Sequence, residues 1–322
     1  MSSSIFLLPE IQVHILRYCS MQDMRNLALT NGQHSDSLQW LLYRTLEIPS
    51  TVLEWKDSVV ASMMKEYTKH LHVCRKTAIS AAAAVEISKA LNLFELSLHG
   101  NPGLYDAEFS LLAGGTLRGL KILDVASTHV SDLFGLEKLV TLEELYLSAT
   151  RVTDDGLFRV SMLQHLQKLD LRDNSGFKTK GVEHLVALKD LRYLGVSGCW
   201  GLDAEAFDYI GRMRKLEVLL AYRCGLTDDA VAYLKGLKSL WKLDVGGNFL
   251  VSDAGVIHLV GMERLRELCL SSCPDVTVRS VPVFQQMKSL EKLNLKFNES
   301  VNVSGLSPIR VLLNDLEDSD DD

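Results

Sequence analysis

The chain has 322 residues, of which 47% are hydrophobic, and it carries a formal net charge of -7. A chain of this length and composition can bury a full core without disulfides or metal ions. It contains no stretch of about 20 apolar residues, which argues against a membrane span, and its first residues lack the basic start of a secretory signal. We therefore expect a soluble protein of the cytosol, the nucleus or both.

The negative charge is concentrated at the C-terminus. Residues 316–322, LEDSDDD, hold five acids and no base, so the rest of the chain has a net charge of -7 + 5 = -2. A nearly neutral body without a basic run attracts nucleic acid weakly, and no nucleic-acid partner is expected. Six cysteines occur without a Cys-x-x-Cys pair, and we expect them to be reduced thiols.

Three short helical segments are predicted at the N-terminus. The first, residues 7–20 (LLPEIQVHILRYCS), is apolar at helical spacing and ends at a polar break. Ser20 and Asp23 form a Ser-x-x-Asp cap for the second segment, and Ser35 or Asp36 can begin the third. Leucines of the last two segments can form a small bundle core, which leaves the apolar face of the first helix to be covered.

A repeat occupies most of the remaining chain. Nine segments match Leu-x-x-Leu-x-[Leu/Val/Ala]-x-x-[Asn/Cys/Thr], and their spacing of 22 to 27 residues is typical of leucine-rich repeats. They begin at Leu93, Leu120, Leu142, Leu166, Leu191, Leu216, Leu240, Leu265 and Leu290. The same step carried backwards predicts two degenerate strands, in YRTLEI from Tyr43 and TKHLHVC from Thr68, and therefore eleven stacked units.

Each repeat predicts one strand and one helix. Leucines at positions one, four and six point from a short parallel strand into the core, and positions three, five and seven face outward on the concave side. At position nine, Asn174, Asn248 and Asn298 can satisfy backbone groups of the turn, with Cys or Thr in their place elsewhere. A polar cap such as VTDDG (152–156) and a short helix with one apolar stripe follow each turn.

The predicted fold is an α/β leucine-rich-repeat solenoid, with a curved parallel sheet inside and short helices outside, preceded by a small three-helix module. Its predicted regions are 1–48 (helical module), 49–92 (degenerate repeats and capping region), 93–313 (repeat solenoid) and 314–322 (acidic disordered tail). Ser319, set among acids, looks like a target of acidophilic kinases, although a solvating tail explains the same residues.

One apolar cluster is predicted on the concave face, where most outward positions are polar or small. Tyr193, Val218, Leu220 and Tyr222 lie next to one another in the expected register. The flanking residues are Tyr146 and Arg172 on one side and Trp241 and Asp244 on the other. Exposed aromatic and Arg side chains at mid-surface are typical of protein interfaces, so we predict that a protein partner binds here. The alternative is that neighbouring side chains or a C-terminal segment cover the cluster.

The sequence also contains a possible metal site, which has less support than the apolar cluster. His70, His72 and Cys74 fall on the concave side of one predicted strand, and His99 falls beside Cys74 on the next strand. Strand alternation alone produces this arrangement from ordinary surface residues, and no known ligand spacing supports it. We therefore predict no metal ion and no cofactor.

No catalytic motif is found. The chain has no G-x-S-x-G, H-E-x-x-H or phosphate-binding glycine loop, and the paired acids at 154–155 and 228–229 lie at helix caps, where the helix dipole explains them. A GTPase-activating repeat protein would need a specifically placed Arg that nothing here singles out. We predict a non-catalytic protein that is monomeric by itself.

The first 50 residues resemble an F-box, the adaptor-binding module of F-box/leucine-rich-repeat proteins. The resemblance rests on Pro9-Glu10-Ile11, Ile15-Leu16, the segment 23–29, Trp40, and LYRTLEI merging into the first repeat strand. The repeats that follow match the second half of that family. The family's Leu-Pro pair aligns onto Leu7-Leu8, so the proline stands one place later, at Pro9.

The resemblance implies the substrate receptor of a cullin-RING ubiquitin ligase. The residues that would bind its Skp-type adaptor are Leu7, Leu8, Pro9, Ile11, Ile15, Leu16 and Leu27. The adaptor would connect the chain to a cullin, while the repeats hold the substrate protein. The alternative is that the three helices only cap the open end of the solenoid, which would then be an interaction scaffold unconnected to ubiquitin.

Overall fold

The structure is a computed structural model that describes residues 45–48, 68–73, 79–298, 306 and 308–313. The predicted adaptor-binding residues, Cys74 and the acidic tail with Ser319 lie outside the described residues. The described strands form one sheet of twelve parallel strands, and the strands follow one another across the sheet in chain order. This topology confirms the predicted solenoid of stacked strand-and-helix units.

Every strand pairs in register with its neighbours, so equivalent repeat positions form straight rows across the sheet. The strands are β1 Thr45–Ile48, β2 His70–Val73, β3 Glu95–Ser97, β4 Ile122–Asp124, β5 Glu144–Tyr146, β6 Lys168–Asp170, β7 Tyr193–Gly195, β8 Val218–Leu220, β9 Lys242–Asp244, β10 Glu267–Cys269, β11 Lys292–Asn294 and β12 Arg310–Leu312. The two degenerate strands predicted before the repeats are confirmed as β1 and β2. The eleven predicted units contribute β1 to β11, and β12 is an additional strand that the prediction missed because it lacks the leading leucine of the repeat.

Helices cover the convex side of the sheet. Those described are α1 Ala81–Ser88, α2 Asp106–Ala113, α3 Asp154–Val160, α4 Thr179–Leu185, α5 Ala204–Gly211, α6 Asp228–Tyr233, α7 Asp253–Ile257 and α8 Val281–Gln286. None of the helices in the described part of the chain is long and apolar enough to cross a membrane. The prediction of a helix in every repeat was wrong for the unit that begins at Leu120. This unit has only a 3-10 turn, Leu136–Lys138, because it is the shortest repeat and Gly135 turns the chain at φ 96°.

The core is one continuous layer of leucines between sheet and helices. In the unit of β6, Leu166, Leu169 and Leu171 are fully buried at positions one, four and six. The helical stripe predicted before it is equally buried, at Leu157, Val160 and Leu163. Each such side chain contributes about 1.5 to 3 kcal/mol of hydrophobic stabilisation, and every unit buries its leucines against the next one.

The helix caps are those that the sequence predicts. Thr153 and Thr227 precede α3 and α6, and their hydroxyl groups accept hydrogen bonds from backbone N–H groups of the first turn. The acid that follows each cap also joins neighbouring repeats. Asp154 Oδ1 accepts hydrogen bonds from the backbone N–H groups of Lys178 (2.7 Å) and Gly181 (2.9 Å). The first acid of each pair, Asp154 or Asp228, therefore joins adjacent repeats in addition to its favourable interaction with the helix dipole.

A polar ladder runs through the turns at position nine, as predicted. Asn248 Nδ2 donates to the carbonyl oxygens of Ala221 (2.9 Å) and Val245 (2.7 Å), and its Oδ1 accepts from the N–H groups of Cys224 (2.8 Å) and Leu226 (3.1 Å). Where Cys replaces Asn the ladder continues more weakly, since Cys224 Sγ donates to the carbonyl of Val196 at 2.9 Å. Asn248 thus binds its own repeat and the preceding one.

The residue before this ladder has a left-handed backbone in all nine repeats, which bends the chain away from each strand. Glycine occupies the position in three of them, and the others carry φ values between 52° and 64°. The residues are Gly100, Ser127, Ala149, Asp173, Gly198, Arg223, Gly247, Ser272 and Phe297. A non-glycine residue in this conformation costs on the order of 1 kcal/mol, which the surrounding turn must offset.

Candidate functional site

The sheet register brings the predicted concave residues together. Tyr193 pairs with Val218, and Gly195 pairs with Leu220, so these side-chain positions are neighbours on β7 and β8. Tyr146 and Asp170 occupy the same row on β5 and β6. Adjacent strands are about 4.8 Å apart, so the apolar and aromatic side chains form one surface at the centre of the concave face. None of these side chains is fully exposed. The four residues of the predicted cluster, Tyr193, Val218, Leu220 and Tyr222, are each half-buried.

A lysine connects the two tyrosines of this surface. The Nζ atom of Lys168 lies 4.9 Å from the ring centroid of Tyr146 and 5.1 Å from that of Tyr193. Glu144 contacts the lysine and one of the two tyrosines, because it accepts a hydrogen bond from the Tyr146 hydroxyl (2.6 Å) and lies 3.8 Å from Lys168 Nζ. The cation–π contacts hold both rings in place. Lys168 occupies outward position three of the repeat that begins at Leu166, but sequence reasoning missed its role between the rings.

Both tyrosines remain neutral phenols at physiological pH. Burial raises the pKa of Tyr146, and the hydrogen bond to Glu144 raises it further. Burial also raises the pKa of Tyr193, with a contribution from the negative charge of Asp170. Both therefore offer a partner an apolar ring, and Tyr193 also offers a hydroxyl that can donate a hydrogen bond, whereas the hydroxyl of Tyr146 already donates to Glu144.

Arg172 is held in place by a buried carboxylate. Its Nε atom lies 2.9 Å from Asp170 Oδ1, and its Nη2 atom lies 2.7 Å from Asp170 Oδ2, which is a bidentate pair. Asp170 is only 2% exposed, whereas the Arg172 side chain remains accessible. This hydrogen bonding keeps the pKa of Arg172 above its ordinary value, so the guanidinium is permanently charged. A fixed guanidinium loses little conformational entropy when a partner binds to it.

Glycines shape the surface around these side chains. A Cβ atom on Gly195 would lie 3.0 Å from Asp170 Oδ1 and 3.3 Å from Arg172 Cγ, so the bare backbone leaves a low floor between Tyr193 and Leu220. Gly246 supports the next aromatic residue, since a Cβ there would lie 3.1 Å from the ring of Tyr222. Tyr222 therefore packs closely over the backbone of the next repeat. The sequence could have predicted that both glycines lie on the concave surface, because each occupies an outward position of its repeat.

The two predicted flanking residues on the C-terminal side differ in their placement. Asp244 lies in the same row as Leu220, where burial raises its pKa and Oδ1 accepts the N–H of Gly246 at 2.9 Å. Trp241 lies before β9, and its backbone bonds to Glu217 and Arg266 at the same edge of the sheet. It is 37% exposed but does not occupy one of the three outward rows. The structure therefore brings together seven of the eight predicted residues and places Trp241 at the edge.

The histidines of the possible metal site contact carboxylates of the next strand. His70 Nδ1 lies 2.8 Å from Glu95 Oε2, and His72 Nε2 lies 3.2 Å from Glu95 Oε1. His99 Nδ1 lies 3.5 Å from Asp124 Oδ2. Within the described residues, no group of three or more His, Cys, Asp or Glu side chains could hold a metal ion.

The described cysteines are protonated thiols. Burial raises the pKa of Cys199 and Cys224 to about 12, and that of Cys269 and Cys273 to about 11. A thiol with such a pKa is a poor nucleophile near neutral pH. At Cys199 and Cys224 the thiol instead donates a hydrogen bond to a carbonyl of the preceding repeat.

Comparison with known families identifies the repeat. A family described as Leucine Rich repeat matches residues 163–186, which include β6 and α4. The chain is a leucine-rich-repeat solenoid. The family match covers one of the stacked units, and the other units of the solenoid repeat its geometry in register.

Solved structures share this fold at low sequence identity. An internalin from Listeria monocytogenes is 15% identical, with a TM-score of 0.56 over 96% of this chain and 95% of that one. The mouse RP105/MD-1 complex matches with 17% identity and a TM-score of 0.55 over 74% of this chain and 40% of that one. Both matches concern the solenoid fold alone.

One curated relative is found by sequence. A protein of Caenorhabditis elegans named putative RNA-binding protein EEED8.10 is 22% identical over 179 residues. The match covers 52% of this chain and 24% of the relative, so the aligned part spans about a quarter of that protein.

Proposed function

We propose that the solenoid is a non-catalytic recognition subunit that binds a partner protein at the centre of its concave face. The observation that carries this proposal is the half-buried cluster of Tyr193, Val218, Leu220 and Tyr222 on a concave face whose other outward positions are mostly polar or small. Tyr and Arg side chains dominate the hot spots of protein interfaces, and the rigid sheet positions them before binding. The RP105/MD-1 structure, a complex built on the same fold, is consistent with a protein partner.

A binding role also agrees with the chemistry of the described side chains. The outward acid Asp170 is engaged by Arg172, and the outward Glu144 is engaged by Tyr146. The described cysteines are held as protonated thiols by burial. The two acids order the concave surface and the thiols of Cys199 and Cys224 belong to the turn ladder, so binding explains these groups without a reaction.

Affinity capture with matched variants tests the concave surface. Leu220→Asp places a charge in the centre of the cluster, and Leu111→Asp places the same charge on helix α2, where Leu111 is 42% exposed. We expect proteins that are captured by the intact chain and by Leu111→Asp to be lost with Leu220→Asp, while thermal unfolding confirms that both variants fold. Equal capture by both variants would contradict the proposed site.

We further propose that the N-terminal residues connect this solenoid to a ubiquitin ligase through a Skp-type adaptor and a cullin. The support is the F-box resemblance of residues Pro9 to Leu16 and Asp23 to Leu29, in front of a repeat array. Such a receptor accelerates ubiquitin transfer by holding a substrate lysine near the conjugating enzyme, and it supplies no chemistry of its own.

The proposed compartment is the cytosol, the nucleus or both, and the proposed free state is a monomer. The thiols of Cys199 and Cys224 support a reducing compartment, because each donates a hydrogen bond in the turn ladder that a disulfide would remove.

Direct binding to a purified Skp-type adaptor tests the ligase role. We expect the intact chain and Leu220→Asp to bind the adaptor, and a Leu8→Asp/Ile15→Asp variant to lose it while still capturing the partner proteins. If the intact chain does not bind the adaptor, the ubiquitin role is wrong and the N-terminal residues serve the solenoid as a cap. Partner binding at the concave face is judged separately by the Leu220→Asp comparison.

A further inference from the structure

A groove with a volume of about 490 Å³ lies away from the concave face, at the ends of α4, α5 and α6. Its volume falls in the range of about 300 to 1,000 Å³ that is typical of small-molecule sites. The lining includes four cations, Lys189, Arg212, Arg214 and Lys238. The rest of the lining is Val186, Gly211 and Gly236, so no acidic side chain lines the groove.

Three of these cations form a local column on the solenoid. Lys189, Arg214 and Lys238 stand two residues before the first leucine of three successive repeats. The same position holds Gln164 in the repeat before this column and Glu263 in the repeat after it. Arg118 and Lys288 are basic at this position too, but the repeats of β7, β8 and β9 are the three consecutive repeats in which such cations lie next to one another.

Two of the four cations are already engaged. Lys189 Nζ donates to the carbonyl oxygen of Val186 (2.8 Å) at the end of α4, where a cation stabilises the helix dipole. Arg212 forms an ion pair with Asp208 on its own helix. Arg214 and Lys238 have no acidic partner among the described residues. The groove thus exposes positive charge that the protein does not neutralise there.

The floor of the groove is tightly packed backbone. A Cβ atom on Gly211 would lie 2.3 Å from the carbonyl oxygen of Tyr233, and one on Gly236 would lie 2.5 Å from the carbonyl oxygen of Gly211. The ends of α5 and α6 therefore meet backbone to backbone, and both positions require glycine. Gly211 and Gly236 contribute no side chains to this rigid floor, and the four cations surround it.

We propose that this groove binds a ligand that carries two or more phosphate groups. Arginine donates hydrogen bonds in a planar fork that matches phosphate oxygens, and lysine adds a compact positive charge. Cations from three repeats can contact separate phosphates of one ligand. The ligand is a soluble polyphosphorylated molecule or the phosphorylated headgroup of a lipid, and the site is independent of the concave surface.

Titration with inorganic tripolyphosphate at low and fixed ionic strength tests this site. We expect saturable binding by calorimetry and an upward shift of the unfolding temperature for the intact chain. An Arg214→Ser/Lys238→Ser variant should bind at least about tenfold more weakly, because each lost contact is a charge-assisted hydrogen bond. Arg118→Ser/Lys288→Ser is the matched control, since both residues are exposed and occupy the same repeat position outside the groove.

Phosphatidylcholine vesicles with and without a phosphatidylinositol phosphate distinguish the two sources. Vesicle capture that requires Arg214 and Lys238, together with tripolyphosphate binding, assigns a lipid headgroup. Tripolyphosphate binding without vesicle capture assigns a soluble ligand. The proposal is overturned if the intact chain binds neither probe, or if the control variant is weakened as much as the groove variant.

Discussion

Replacing Asn248 with alanine is expected to destabilise the solenoid by about 4 kcal/mol. Asn248 is fully buried and makes five hydrogen bonds to backbone groups of two repeats. The longest goes to the carbonyl oxygen of Gly246 (3.2 Å), which also accepts the N–H of Arg223 and therefore keeps a partner without Asn248. Alanine leaves two N–H groups and two carbonyl oxygens without these partners, and each costs about 1 to 3 kcal/mol when it stays unsatisfied. The low end of that range applies because a water molecule can enter the vacated polar space.

Two control substitutions show how large the loss of unfolding free energy should be at comparable positions. Cys224 occupies the same position in the preceding repeat and donates one weak hydrogen bond through its thiol, so Cys224→Ala should cost only about 1 to 2 kcal/mol. Asn294 lies on the concave face, where its Oδ1 accepts the backbone N–H of Lys296 at 3.0 Å. Asn294→Ala should cost less than about 1 kcal/mol.

Urea unfolding, monitored by circular dichroism, measures these free energies of unfolding. Because repeat arrays can unfold in parts, the slope of the free energy against urea concentration is compared between variants to check that each unfolds in one transition. Amide hydrogen exchange at Cys224 and Leu226 locates the effect, since these N–H groups donate to Asn248. The reasoning is refuted if Asn248→Ala costs less than about 1 kcal/mol, or if the three substitutions cost the same.

Three further predictions concern titratable groups. Burial opposes ionisation of Asp253, but hydrogen bonds from Ser280 and Thr277 outweigh burial and lower its pKa. The stabilisation from ionised Asp253 is therefore present above the unfolded pKa of about 3.9 and is lost as pH falls through the lower folded pKa. Asp253→Ala removes this contribution, so the urea midpoint of the variant should change less with pH below about pH 4 than that of the intact chain. Burial raises the pKa of Asp244, so protonation favours the folded state; Asp244→Asn should leave stability at pH 7 unchanged or raise it by less than about 1 kcal/mol, and a clear loss in urea unfolding would contradict this sign. Burial raises the pKa of Cys199 and Cys224, so a disulfide reagent at pH 7.5 should label them only after unfolding, and rapid labelling of the folded protein would show that these thiols are accessible.

The fold could be predicted because one period controls it. Leucine at positions one and four, with Leu, Val or Ala at position six, recurs every 22 to 27 residues, and this repeated pattern places the strands in register without further information. The concave rows followed from the same register, which is why Tyr193, Val218 and Leu220 were predicted as neighbours and are neighbours in the sheet. The role of Asn248 was predicted because a buried amide next to a turn must satisfy backbone groups.

Features that depend on local geometry were missed. Arg223 and Phe297 adopt a left-handed backbone although neither residue type signals it, because the turn imposes this conformation. The twelfth strand has no leading leucine, and its pairing with β11 is visible only in space. The placement of Lys168 between two rings depends on its side-chain conformation, which the repeat pattern does not specify.

Site-specific photo-crosslinking in cells tests most directly whether the concave centre recognises a protein. A photoreactive amino acid is placed at Leu220, in the middle of the cluster, and at Leu111, on the outer helix α2, in otherwise intact chains. We predict a discrete light-dependent protein adduct from position 220 that is absent from position 111 and is lost when Tyr193 is also replaced by alanine. No adduct at 220, or equal adducts from both positions, would contradict recognition by this face.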